Sequence, residues 1–406
     1  MRAGAFVFSF FAVLALCAAP LDAARADEPS CTLDAPVSAA AGKFFNITWS
    51  FSGGLSAKVV REDRRGRDER VTVGMMTVPI GMLRAWATNV LGPHTYIMTV
   101  AGANGATGKC KAVVDFTYAR KAVSGYDIVV VAGQSNASGK GVGPFDRLNP
   151  ALLADNVVQI GRYGASNLQI VPVGYWKAGT LYDGLQFWTG AEDDTEMGFA
   201  LSFAQNYVKN GQLGDGRQLL IVPAAHGGTS ILRWLERDDR HEMPGDRETL
   251  YDDMIDRVNF VKSLPGDSRV VAFLWQQGEN DVLRTEKGDP QMSATIYQAD
   301  LAEFFARVRT DMAASPQFPI LAGLMVPHWL ADDGTGFAIK HEIEAGIGKV
   351  TKAEGFAATV PSKRLTSNAQ IGHPRGGDLH FNAQSQMELG LRYFRGWLSL
   401  ESEGLH

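Results

Sequence analysis

Four short polar segments carry the chemistry-bearing residues of this chain: Gly133-Gln134-Ser135-Asn136, His226-Gly227-Gly228-Thr229-Ser230, Gln276-Gln277-Gly278-Glu279-Asn280-Asp281 and Gly377-Asp378-Leu379-His380-Phe381-Asn382. Acyl transfer needs a nucleophile, a base to deprotonate it, and donors fixed where the oxyanion develops. Ser135 is the candidate nucleophile. His380 is the candidate general base, because an imidazole titrates near neutral pH and can pass the serine proton to a leaving alcohol. Asp378 is the candidate for orienting that imidazole and stabilising its cationic form. Gly228 offers a backbone N–H with no side chain in the way, and Asn280 a side-chain amide. A serine in a glycine-rich turn is by itself usually a turn residue, and it is the conjunction of four such segments that points to catalysis.

Rigid elements must hold these turns, and the sequence supplies strands and helices in alternation. Residues 127–132 (DIVVVA), 218–224 (QLLIVPA) and 270–275 are expected strands that run directly into the first three polar segments. Residues 197–208, 248–264 and 297–312 have helical periodicity, with Leu250, Met254, Ile255, Val258 and Val261 on one face of the second. A strand at 320–326, a helix at 337–353, a weak strand at 356–360 and a closing helix at 383–398 complete the pattern. Such alternation predicts an α/β domain with a parallel sheet covered on both faces. In these sheets ligands bind beyond the carboxyl ends of the strands, where the polar turns fall.

Residues 126 to about 398 resemble the SGNH hydrolases, and within them the carbohydrate-esterase branch of sialate O-acetylesterases and acetylxylan esterases. The resemblance rests on GQSN at 133–136, GGTSI at 227–231 followed by Trp234, LYDDMIDRV at 250–258, WQQGEND at 275–281 and DLHF at 378–381. It implies a flavodoxin-like three-layer α/β/α domain, a Ser-His-Asp apparatus, and neither metal nor other cofactor. It also implies that the Ser135 N–H joins the oxyanion hole with Gly228 as the second donor. Two residues compete as the third: Asn280 matches the G-x-N-D pattern of the wider superfamily, and Gln277 matches the glutamine before the glycine in the acetylesterase branch. The superfamily sets its acid three residues before the histidine, where this chain has Gly377. Asp378, two residues before, either reaches the imidazole through a different bend or leaves a Ser135–His380 dyad.

Gln134, Asn136, Gly227, Trp234 and Glu279 are candidate substrate contacts, with packing as the competing reading for Gly227 and for Trp234 and its neighbour Trp275. His226 and His328 lie near strand ends, where a structural hydrogen bond is as good a reading as a substrate contact. His341-Glu342 lacks the second histidine of a zinc helix and His373 lacks neighbouring ligands, so no metal site is expected. The G-x-S-x-G signature of the α/β-hydrolases fails at Ala137.

The N-terminal quarter differs in texture. Arg2, the apolar run 6–19 and Ala24-Arg25-Ala26 read as a signal peptide over 1–26, with a lipoprotein attached at Cys17 as a minor alternative. Short β-rich runs at 44–52, 58–61, 70–77 and 94–101 then predict a small β-sandwich over 27–118, resembling immunoglobulin-like modules in pattern, joined by a linker at 119–125 to the esterase domain at 126–400. Cys31 and Cys110 frame the sandwich and form an even pair suited to a disulfide outside the cytoplasm. The charged run 61–70 reads as a solvated hairpin.

With 39 basic and 44 acidic residues the net charge is −5, which gives no electrostatic footprint for nucleic acid. No stretch after the signal reaches the roughly 20 apolar residues of a membrane span. The expected activity is that of a secreted or periplasmic serine esterase removing O-acetyl groups from a carbohydrate through an acyl-enzyme on Ser135. The alternatives are an O-acyltransferase using the same residues and a carbohydrate-binding protein with a degenerate hydrolase domain.

Overall fold

A computed structural model describes residues 28–403 apart from 41–42, 65–67, 88–91, 104, 119–120, 145–147, 163–167, 174–195, 238–248, 313–316 and 373–376. The expected signal segment with Cys17, and His373, lie outside the described residues.

Residues 30–117 form eight strands: β1 (Ser30–Asp34), β2 (Ser38–Ala40), β3 (Phe44–Ser52), β4 (Ser56–Arg64), β5 (Asp68–Met76), β6 (Ile80–Trp86), β7 (Gly92–Ala101) and β8 (Thr107–Thr117). They make two sheets, β1-β3-β6 and β2-β8-β7-β4-β5. Alternate residues such as Ile47 and Phe51 of β3, and Tyr96, Met98 and Val100 of β7, turn inward to a core of their own, as a half-buried strand requires. Cys31 of β1 and Cys110 of β8 are disulfide-bonded. The charged run is the antiparallel β4–β5 pair, with Glu62 opposite Arg70 and Arg64 opposite Asp68.

A second core begins at β9 (Gly125–Gly133), followed by α1 (Ser135–Ser138), α2 (Pro150–Asn156), β10 (Val157–Ile160), β11 (Ile170–Pro172), α3 (Ala200–Lys209), β12 (Arg217–Pro223), α4 (Ile231–Trp234) and α5 (Leu250–Ser263). It continues through β13 (Arg269–Gln276), α6 (Glu279–Glu286), α7 (Ala294–Asp311), β14 (Ile320–Gly323), α8 (Gly334–Glu354), β15 (Ala357–Val360) and α9 (Ala383–Glu403). The sheet order is β11-β10-β12-β9-β13-β14-β15, parallel throughout except where β11 pairs with β10. All nine residues of β9 are buried, which explains its unbroken apolar sequence: both faces of the sheet are covered. The helices pack in two groups: α3 lies against α2 and α9, and α4, α5, α6, α7 and α8 form a connected second set. The chain leaves β9 toward β12 on one side and returns to β13 on the other, so a crevice opens at the carboxyl end of β9, the position where parallel sheets bind ligands.

Two expectations change in extent. The strand expected over 320–326 ends at Gly323, and β10 and β11, which no pattern in the sequence announced, extend the sheet beyond β12.

Candidate active site

The close approach of β9 to β13 fixes the first turn. Gly133 has φ +122°, and a Cβ there would fall 2.1 Å from the carbonyl oxygen of Gln276, so only glycine fits. The Gln134 N–H then donates to that same carbonyl at 2.9 Å, and the chain enters α1 with Ser135 as its first residue. Ser135 Oγ lies 2.9 Å from His380 Nε2, two residues that are 245 apart in sequence. Burial and the charge of Lys140 hold the imidazole below its ordinary pKa, with Glu196 acting in the opposite sense. Near neutral pH the ring is therefore uncharged, and with its proton on Nδ1 it leaves Nε2 free to accept from the serine hydroxyl.

Three hydrogen bonds fix the backbone around that imidazole. Asn136 Nδ2 donates to the Leu379 carbonyl at 3.0 Å, Asn136 Oδ1 accepts from the Phe381 N–H at 3.1 Å, and the His380 carbonyl accepts from the Asn368 N–H at 2.9 Å. Asn368 also ties in the neighbouring segment, donating to the Lys140 carbonyl at 2.7 Å and accepting from the Val142 N–H at 3.0 Å. Lys140 Nζ pairs with Glu196 at 2.5 Å. Neither member of that pair stands out in the sequence, since only the fold brings Glu196 to the histidine loop.

Asp378 is placed otherwise than expected. Its carboxylate accepts from Ser367 Oγ at 3.1 Å, and among the described residues no carboxylate is hydrogen-bonded to His380. An acid two residues before the histidine, rather than three, is turned toward a different partner.

Beyond the end of β12, Gly227 and Gly228 are exposed; a Cβ on Gly227 would lie 3.7 Å from that of Ser135, and Gly228, with φ +71°, borders open space. Asn280 Nδ2 donates to the Gly228 carbonyl at 3.1 Å, and its backbone N–H to Gln134 Oε1 at 3.2 Å. Of the two amides left open by the sequence, Asn280 thus stands next to Gly228. Gln277 is fully buried, and its Nε2 is committed to Asp281, to the Thr229 carbonyl at 2.9 Å and to Gln134 Oε1 at 3.3 Å.

The buried members of the expected substrate-contact set belong to the walls and floor. Gln134 spends its Oε1 on Asn280 and Gln277. Trp234 has no exposed surface and packs edge-on against Trp275 and Phe304, so it is core and cannot serve as a sugar platform. Asn136 and Glu279 are also fully buried, Asn136 Nδ2 donating to Glu279 Oε1 at 2.6 Å. Burial pushes the Glu279 carboxyl up to about 7, and that of its neighbour Asp281 likewise up to about 7. His226 is pushed down to about 4 by burial and by Arg162 and Arg233, whereas His328 is exposed. No cluster of His, Cys, Asp or Glu suited to a metal ion occurs among the described residues.

A family model described as carbohydrate esterase, sialic acid-specific acetylesterase, matches residues 125–399. A protein of Arabidopsis thaliana named a probable carbohydrate esterase is 27% identical over 204 residues, which cover 50% of this chain and 64% of that protein, just under two thirds of its length. Among solved structures, NanS superposes with a TM-score of 0.51 at 17% identity, covering 70% of this chain and 100% of NanS, a likeness of fold. A GDSL-like lipase of Parabacteroides merdae reaches a TM-score of 0.39 at 10% identity over 68% of this chain and 98% of its own, a level on which no argument rests.

Proposed function

The chain belongs to the carbohydrate esterase family of sialic acid-specific acetylesterases, and from that premise we propose that it removes an O-acetyl group from a carbohydrate through an acyl-enzyme on Ser135. Its class, carboxylic ester hydrolase, follows from the family. The observation that carries the mechanism is the 2.9 Å contact between Ser135 Oγ and His380 Nε2.

In this reading the serine hydroxyl gives its proton to His380 Nε2 as Oγ attacks the acetyl carbonyl. On the same reading the oxyanion is held by the Ser135 N–H, the Gly228 N–H and the Asn280 side-chain amide, whose Nδ2 keeps one hydrogen beyond the bond it gives the Gly228 carbonyl; donors fixed in advance cost no rearrangement at the moment of reaction. His380 then protonates the departing sugar oxygen. Water, deprotonated by His380, releases acetate and restores the serine. The base works as one half of a dyad, with Asp378 outside the chemistry.

The disulfide and the apolar N-terminal run support export to an oxidising compartment such as the periplasm. We read residues 27–118 as an immunoglobulin-like spacer or docking module and 126–400 as a flavodoxin-like esterase domain; their separate cores support that division.

Hydrolysis of p-nitrophenyl acetate by the full chain tests the mechanism. Ser135→Ala and His380→Ala should each lower kcat by about 10⁴-fold or more, whereas Asp378→Ala should fall far short of the roughly 10⁴-fold loss that follows removal of a working triad acid. Turnover retained by Ser135→Ala would sink the acyl-enzyme, and a triad-sized loss in Asp378→Ala would sink the dyad.

A further inference from the structure

Resting on that reading of Ser135 and His380, we propose that Asn136 and Glu279 are positioning residues: a buried strut runs from Glu279 through the Asn136 amide to the peptides on either side of His380 and holds its imidazole against Ser135. The strut does mechanically what a carboxylate on Nδ1 does in a triad.

The geometry excludes the competing role of substrate contact. Asn136 is fully buried, and each of its polar atoms is spent: Nδ2 on Glu279 Oε1 and the Leu379 carbonyl, Oδ1 on the Phe381 N–H. Leu379 and Phe381 flank His380, so one side chain grips the base loop at two points. That side chain follows the nucleophile directly, which locks the backbone carrying Ser135 to the backbone carrying His380. A displacement of about 1 Å between reacting groups can cost roughly 100-fold in rate, so this link is where rigidity matters most.

Glu279 decides which way the Asn136 amide faces. An amide turned end for end would present its carbonyl to a carboxylate and its NH₂ to the Phe381 N–H, with acceptor against acceptor and donor against donor. Because Glu279 Oε1 accepts, Nδ2 must face it and Oδ1 must face Phe381. Glu279 Oε2 has no hydrogen-bond partner among the described residues, so a proton taken up by this carboxyl has a place to sit that leaves Oε1 an acceptor. Glu279 is also the first residue of α6, directly before Asn280. The same helix start therefore braces the base loop and presents the amide beside Gly228.

The test exchanges donor for acceptor across the strut, in the full chain, with kcat and KM for p-nitrophenyl acetate measured per folded molecule. Asn136→Asp faces one carboxylate with another and leaves the Leu379 carbonyl without its donor; kcat should fall about 100-fold with KM within about twofold. Adding Glu279→Gln restores a donor–acceptor pair of opposite sense and should recover at least about tenfold of the lost kcat. Glu279→Gln alone can still offer an Oε1 acceptor but no longer fixes the sense of the Asn136 amide, so kcat should fall, by less than in Asn136→Asp, with KM within about twofold. A rise in KM at constant kcat would mark a substrate contact and overturn the proposal. So would a double variant no faster than Asn136→Asp, or a drop in melting temperature with kcat per folded molecule unchanged, which would make the strut merely structural. Ser135→Ala is run alongside: if it still turns over, the nucleophile assignment falls and the strut's purpose with it, whereas a dead Ser135→Ala with an unresponsive Asn136→Asp overturns the strut alone.

Discussion

An ion pair of two opposed charges, Lys140 and Glu196, acts on His380, and that setting makes its protonation adjustable. Burial disfavours the imidazolium most, the charge of Lys140 adds to that effect, and Glu196 opposes it. Catalysis by the neutral ring is lost as pH falls through the imidazole pKa, so the acid limb of kcat/KM should lie below the ordinary histidine value of about 6.5. Lys140→Gln removes a depressing charge and leaves Glu196 opposed by burial alone, which moves the limb to higher pH. Glu196→Gln does the reverse and moves it to lower pH. His226, already pushed down to about 4, does not contribute to a limb near neutrality. A pH profile of p-nitrophenyl acetate hydrolysis for the three proteins checks both directions at once; shifts of the same sign, or a limb that stays put in both variants, would mean that other groups set the base.

Strand β9 carries its two tasks at opposite ends, and only one of them was visible in the sequence. Its carboxyl end delivers Ser135, which the apolar run 127–132 followed by a glycine-bearing polar turn announced plainly. Its amino end holds Asp127, fully buried, which accepts from Arg217 at 2.8 Å, Arg269 at 3.0 Å and Tyr207 Oη at 3.0 Å. In sequence Asp127 was simply the first residue of a strand, because its partners lie on β12, β13 and α3 and are assembled only by the sheet. β10 and β11 escaped for a related reason: segments of only four and three residues have no period long enough to separate strand from buried helix. The same limit applies to the site. Asn136 and Glu279 were legible as motif members, but they lie 143 residues apart, and their contact with the base loop is a property of the fold. Asp127→Ala strands two arginines at the base of the sheet and should destabilise the protein by about 3 kcal/mol, the lower part of the range for breaking a buried pair, since the Arg269 side chain reaches solvent. With the site at the far end of β9, kcat of the folded protein should be unchanged. Urea unfolding and a parallel esterase assay separate the two effects, and a loss of kcat matching the loss of stability would refute the division of labour.

At the scale of the whole molecule, the two cores are closed by different means. The larger surrounds a seven-stranded sheet and holds no cysteine, whereas the smaller has, among the described residues, fourteen buried hydrophobic side chains and is tied by Cys31–Cys110 across a sequence separation of 79. Small cores bury too little apolar surface to be comfortable, which is where a cross-link that restricts the unfolded chain contributes most. Lys43 and Asp155 pair across the two units at 3.2 Å, but both side chains are largely exposed, and such a pair contributes about 0–1 kcal/mol. Replacing both cysteines by serine should therefore lower the stability of the N-terminal unit by about 2–5 kcal/mol and leave acetate release within about twofold of the parent. Calorimetry is the discriminating measurement. If the units are independent, the parent shows two transitions, only the one unaccompanied by loss of esterase activity moves in the double variant, and activity survives at temperatures where the sandwich has melted. A single transition that moves together with activity would mean that the sandwich braces the catalytic unit, and its role would then be structural support rather than spacing or docking.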